Sequence, residues 1–231
     1  MKIPKIQTAS AAAIIIAILL GISIVSNSSY GDTDLVPIEI ELPKYVFEGT
    51  KQDIVVENLE KLPDKPRPPF LAPAGTTNVA LGKSVKSSDK FIIIGDIDYV
   101  TDGNKDTTDG NPVQLAPGVQ NVTIDLGQMC DIYAVVIWHL HNQEHIFFDV
   151  VVQTSKDDFF VENVQTLFNN DIDNSAGQGL GEDKHYIETN KGQLIDAKGV
   201  TGRYVRLYSN GYALGSSNYY CEVEVYGKPV E

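Results

Sequence analysis

The chain is predicted to be all-β, a sandwich or jelly roll of short strands, preceded by an apolar leader and a proline-rich extended segment. Three observations predict it. After residue 78, alternating or nearly continuous apolar runs recur between turns rich in Gly, Asn, Asp and Ser, as strands stacked in layers require. No helical stripe longer than two turns occurs among them. Before them, Pro37, Pro43, Pro63, Pro66, Pro68, Pro69 and Pro73 interrupt the apolar pieces, and proline both fixes φ and removes a ladder donor.

In chain order, residues 1–30 come first. Lys2 and Lys5 precede an apolar run from Ala11 to Leu20 that continues to Val25. A basic start and such a run make a secretory leader. Counted from Ala9, the run approaches the ~20 residues that span a bilayer. A cleaved signal and a retained signal-anchor both stay open, and both put the body outside the cytoplasm. Residues 31–77 read as an extended arm with Lys65-Pro-Arg-Pro-Pro69 in polyproline II. It is either a stalk or, given Val46, Phe47, Ile54, Val55 and Phe70, a strip packed along the body's flank.

The body is expected over residues 78–228. Val119–Leu126 alternates at Val122, Ile124 and Leu126, a half-buried strand. Asp131–Trp138 is nearly all apolar and fits a central strand covered on both faces. Phe147–Gln153, Arg203–Tyr208 and Glu222–Tyr226 follow as further strands.

The 231 residues are 42% hydrophobic, enough for a packed core, and carry a net charge of −13. Phosphate backbones and anionic headgroups gain affinity from Lys and Arg, so this balance speaks against nucleic acid and against phosphatidylserine. Membrane contact is expected only through an uncleaved N-terminal segment. Cys130 and Cys221 form either one bridge or two separate buried thiols.

Val100-Thr-Asp-Gly-Asn-Lys-Asp-Thr-Thr108 concentrates oxygen ligands, with Asp102, Asn104, Asp106 and Thr108 at alternate positions. Glu222 would close a cage around a hard cation if the fold brings it there, and calcium takes six to eight such oxygens. The alternative is a plain turn, for which Asp-Gly-Asn is well suited. A second acidic loop has Asp171, Asp173 and Ser175 alternating, with Glu182 twelfth from Asp171, as in an EF-hand. Ala176 stands where that motif needs glycine and no helices flank it, so an exposed Asx-rich loop is the expected structure. His139 and His141 share a strand face and His145 follows, a set that can be drawn as a zinc site or as strand-end histidines satisfying backbone groups.

An ordered set of motifs runs through the body: Asn78-Val-Ala-Leu-Gly-Lys-Ser84, Val100-Thr-Asp-Gly-Asn104, Ile124-Asp-Leu-Gly127, Arg203-Tyr-Val-Arg-Leu207 and Cys221-Glu-Val-Glu-Val-Tyr-Gly227. In this order it resembles a discoidin domain, the coagulation-factor type C family within the galactose-binding-like jelly rolls, over about residues 78–227. The resemblance implies a structural calcium ion held by the Asp102 carboxylate, the Asn104 carbonyl, Thr107 or Thr108, the Cys221 carbonyl and the Glu222 carboxylate. It also implies glycan binding through loops at one end of the sandwich. For that role His139, His141, Tyr212, Tyr219 and Asn218 are the candidates, with Tyr220 and Asn210 beside them. Arg203 and Arg206 lie in a strand and read as structural ion-pair partners. The arginine loop of the family's fucose-binding branch has no clear counterpart here.

Three expectations of function follow. The first is a non-catalytic exported module, with structural calcium, that binds glycan or cell-surface polysaccharide. The second is an adhesion or assembly protein whose loops and arm contact other extracellular proteins. The third is a small metallohydrolase built on His139, His141 and His145.

Overall fold

The computed structural model describes residues 34–230 apart from Gln52, Pro63, Asp109 and Gly110. The leader expected over residues 1–30 therefore lies outside the described residues. Among those described, the strands are β1 (Leu35–Pro37), β2 (Leu71–Pro73), β3 (Thr77–Asn78), β4 (Ser84–Ser87), β5 (Val113–Leu115), β6 (Gln120–Trp138), β7 (Val151–Ser155), β8 (Gln165–Asn169), β9 (Gln193–Ser209), β10 (Asn218–Tyr220) and β11 (Glu222–Pro229). One 3-10 turn, Ile97–Thr101, is the helical element. No described helix is long and apolar enough to cross a membrane.

The two strands expected at Val119–Leu126 and Asp131–Trp138 are halves of β6, which pairs antiparallel with β9 along nearly its whole length. The ribbon slips register between Asp125 and Cys130. There Gly127 takes φ 82°, and its N–H donates to Asp125 Oδ1 at 2.8 Å. Arg203 on β9 closes the irregularity with two bonds to the Asp125 carboxylate, 2.8 and 2.9 Å. The Ile-Asp-Leu-Gly and Arg-Tyr-Val-Arg motifs thus fix one bulge. On one half β6 is flanked by β4; on the other it is flanked by β11, which in turn pairs with β3. Beyond β9 lie β7 and β8. The small β5–β10 pair stands apart from this seven-stranded sheet and sends Val113, Leu115 and Tyr220 into the same core as Val122, Ile124, Val205, Leu207, Val223 and Val225. This is the all-β antiparallel sandwich that the sequence predicts.

Asp131–Trp138 is covered on both faces, as its apolar run requires. Ile132, Val135 and Ile137 point to the main core. Ala134, Val136 and Trp138 form a second cluster with Cys221 and Tyr226, covered by Ile38, Ile40 and Phe70 of the arm. From Asp34 on, the arm is no stalk; it belongs to the same compact unit as the body. Asn190 Nδ2 donates to Pro43 O, Leu59 forms a parallel bridge with His185, and Glu60 N–H donates to His185 O. The Pro-Arg-Pro-Pro piece is anchored too, because Arg67 donates to Gly192 O and Lys191 O at 2.9 and 2.8 Å. A free spacer would leave those carbonyls to water.

Candidate functional site

Asn78 begins the tie between the start and end of the body. Its Oδ1 accepts from Ala80 N and Val225 N, each at 3.1 Å. Gly82, at φ 65°, donates to Thr101 O, and Thr101 Oγ1 donates to Lys83 O. The opening motif thereby sets the 3-10 turn from which the Asp102 loop leaves.

That loop meets the last strand. Gly103, at φ 89°, donates its N–H to Glu222 Oε2 at 3.1 Å, across 119 positions of sequence. Glu222 is fully buried, and among the described residues its Oε1 has no hydrogen-bond partner; neither has Oγ1 of buried Thr107. Burial, together with the charges of Glu224 and Asp102, pushes the Glu222 carboxyl up to about 9, with the Gly103 N–H and Lys105 opposing. Lys105 is itself committed to Glu224 at 2.7 Å, a buried pair. Internal bonds shape the loop: Asp102 Oδ1 accepts from Asn104 N, and Asn104 Oδ1 from Asp106 N. Asn111, which the sequence reading passed over, donates to the carbonyls of Asn104 and Asp106. Its place before Pro112 in a turn-forming dipeptide was the available signal. Glu224 was legible as the neighbour two residues on from Glu222, on the same strand face. Cys221 is buried beside them, its N–H donating to Trp138 O and its thiol to His139 O.

Both cysteines are buried and free. Cys130 lies opposite Pro229, and Glu222 lies opposite Trp138, so eight positions of β6 separate the two sites. At ~3.3 Å per residue that is roughly 26 Å, far beyond disulfide range.

The histidines are interior groups. His139 is wholly buried, stacked on Phe147 at 4.5 Å, with Nδ1 bound to Glu188 Oε1 at 2.6 Å. His141 Nε2 bonds the Lys105 carbonyl at 2.9 Å and so supports the Asp102 loop from behind. His145 Nε2 pairs with Asn142 Oδ1, and burial, with His141 nearby, lowers its pKa to about 4. Among the described residues the ligand atoms of these histidines do not converge within 4.8 Å as a set of three. The zinc drawing fails because β6 carries His139 into the core while the turn after it turns His145 toward Asn142.

Asn218, a candidate sugar contact, is also buried: its Nδ2 donates to Ala116 O and Gly118 O, and its Oδ1 accepts from Gly211 N. It knits three loops and has no side-chain surface for a ligand, and the same holds for His139 and His141. Tyr212 and Tyr219 are half-buried and meet edge to face at 5.8 Å, beside Gln114 and Ser217.

Asp149, Asp171 and Asp173 bring carboxylate oxygens within 4.8 Å of one another. Ser175 N donates to both Asp171 and Asp173, Ala176 N to Asp171, and Ser175 Oγ and Asn210 Nδ2 to Asp149. This is the Asx-rich loop expected, with Glu182 exposed and outside the cluster. Burial and the neighbouring Asp149 raise the Asp171 carboxyl.

No protein-family model and no curated protein matches the chain. Solved structures similar to it include a family 89 glycoside hydrolase from Clostridium perfringens, at 17% identity and a TM-score of 0.47 over 66% of this chain and 15% of that one. A Streptococcus pneumoniae fucose-binding module matches at 18% identity and a TM-score of 0.47 over 66% of this chain and 96% of its own. A chitosan-binding module from a Paenibacillus sp. IK-5 chitosanase/glucanase matches at 19% and 0.43, over 65% and 99%. The chain thus spans a small part of the hydrolase and nearly all of either module.

Proposed function

We propose that the chain is a non-catalytic exported module that binds glycan and whose sandwich is pinned by one structural calcium ion. The observation that carries the reading is the meeting of the Asp102 loop with Glu222. A carboxylate buried there with no ion pair among the described residues is costly unless a cation or a proton neutralises it, and the buried Thr107 hydroxyl of the same loop has no hydrogen-bond partner among them either. The residues fit a hard cation. Asp102 and Glu222 would supply charge, Thr107 a hydroxyl, and Asn104 and Cys221 carbonyl oxygens. The bound ion would join the loop to β11 and supply no chemistry to a substrate.

The glycan half of the reading is supported by the ordered motifs and by polar concavities on the sandwich, where planar polar groups lie beside rings. Export is supported by the basic start and apolar run of residues 1–25. Thermal melts with calcium and with EDTA test the ion: a midpoint several degrees higher in calcium is expected, and identical midpoints would sink it. Calorimetry against neutral and acidic oligosaccharides tests the ligand.

A second reading, contact with other proteins, is favoured by Phe91, Phe159 and Val161, which are 84%, 79% and 78% exposed. Silence toward every saccharide, with concentration-dependent self-association that Phe91→Ser abolishes, would support it over the first.

A further inference from the structure

The outer face of the sheet carries a polar groove. In β4, β6 and β9 the two-residue period sends Val85, Val122, Ile124, Val205 and Leu207 to the core. The residues between them face the other way. Strand register then aligns Lys86, Thr123 and Arg206 in one row across three strands, and Ser84, Asp125 and Tyr204 in the next. Neighbouring strands lie ~4.8 Å apart and the rows ~6.8 Å apart, so donors, acceptors and a ring stand in a fixed array.

The loop after β7 walls this array on one side. Asp157 accepts from the N–H groups of Phe159, Val161 and Glu162, which hold its carboxyl below the usual range and set the loop's shape. Phe160, at φ 59°, lies 3.9 Å from the Arg206 guanidinium. Arg206 donates through Nε to Thr123 Oγ1 at 2.8 Å and through Nη2 to Asp158 O at 2.9 Å. Its plane is therefore fixed, while Nη1 has no partner among the described residues. Arg206 thus differs from the ion-pair partner expected from its strand position: among the described residues it bonds a hydroxyl and a carbonyl and no carboxylate. Lys86 reaches over the same space toward Asp158 at 3.6 Å, and the cavity has a volume of about 180 Å³.

We propose that this groove takes one sugar ring of a glycan. Lys86 pairs with Asp158 and Arg203 with Asp125, which leaves Arg206 as the groove's one cation without a carboxylate among the described residues, so no cluster of positive charge marks it for phosphate. Its lining is too polar for an apolar helix or acyl chain. A sugar ring, with hydroxyls that donate and accept in turn and a C–H side that packs on Tyr204, matches the array, and a guanidinium already held flat loses little freedom on binding. The proposal rests on the glycan-binding reading and gives it a place on the sheet face.

The test is calorimetry of the whole chain against neutral and uronate oligosaccharides, with Ser84→Trp, Lys86→Ala and, as a remote control, Leu180→Ala. Each variant is first checked by thermal melt. Ser84→Trp fills the groove and should weaken binding about tenfold or more; Lys86→Ala should weaken it about threefold, and the control should leave it unchanged. If a saccharide binds the parent and both groove variants equally well, the groove is overturned while the glycan reading stands. If no saccharide binds the parent, both fall together.

Discussion

Glu222 makes no ion pair among the described residues where it meets the Asp102 loop, and its raised pKa gives the calcium-free protein a defined pH response. Its folded value, about 9, lies above the ordinary 4.5, so between those values the folded state binds the extra proton. Stability of the calcium-free protein should therefore fall as pH rises from 4.5 through 9. Denaturant midpoints across that range should show the fall, Glu222→Gln should flatten it, and calcium at pH 8 should raise the parent's midpoint and not the variant's. A parent whose midpoint is flat with pH would contradict the buried, unpartnered carboxyl. At the same scale, Asn218→Ala should cost about 1–3 kcal/mol, because two loop carbonyls and the Gly211 N–H lose their partner. Asn218 was legible as a polar residue in a turn, but its burial was not. Three loops distant in sequence had to converge before its amide had anything to bind.

Among the elements, the β6–β9 ribbon and the arm hold most of the organisation. The apolar run of Asp131–Trp138 announced a strand covered twice, and Phe70 was legible as packing on the body's flank, but the part of Ile38 and Ile40 in the covering was not. Trp138, the chain's one tryptophan, reports on this contact. Replacing Ile38 and Ile40 by Asp should shift its emission to the red and lower the melting midpoint; an unshifted spectrum would mean that the arm does not seal that face. Gly192 shows how close the packing is. It holds φ 63°, and a Cβ there would lie 2.6 Å from Trp138. The buried Lys105–Glu224 pair joins the Asp102 loop to β11. Lys105→Met should cost about 3–5 kcal/mol, read from denaturant midpoints, since it leaves Glu224 unpaired beside Glu222. A loss under about 1 kcal/mol would show that the pair is not what binds the loop.

At the scale of the whole molecule, the two thiols test how rigidly the sandwich closes. Cys130 and Cys221 should resist alkylation in the native protein and each take one adduct in denaturant, by intact mass; ready native labelling of either would place it nearer solvent than its burial allows. The all-β class and the main strands were legible in residue order, because alternation, turn chemistry and glycine positions are local properties of the chain; the tie between the Asp-Gly-Asn loop and the last strand spans 119 positions and was expected only from the family resemblance. Which polar residues face inward was not. His139 and His141 read as zinc ligands, sugar contacts or strand-end histidines that satisfy backbone groups, and only the arrival of Glu188, Phe147 and the Lys105 carbonyl from elsewhere shows them as interior groups. The groove on the outer sheet face was equally hidden, since Lys86, Thr123 and Arg206 become neighbours only through register. Strand alternation and turn chemistry made the all-β class and the oxygen-rich Asp102 loop readable along the chain, because each is written over a few adjacent residues. Burial and the packing of the arm came from the tertiary structure, because these depend on contacts between segments whose separation in sequence carries no record of their distance in space.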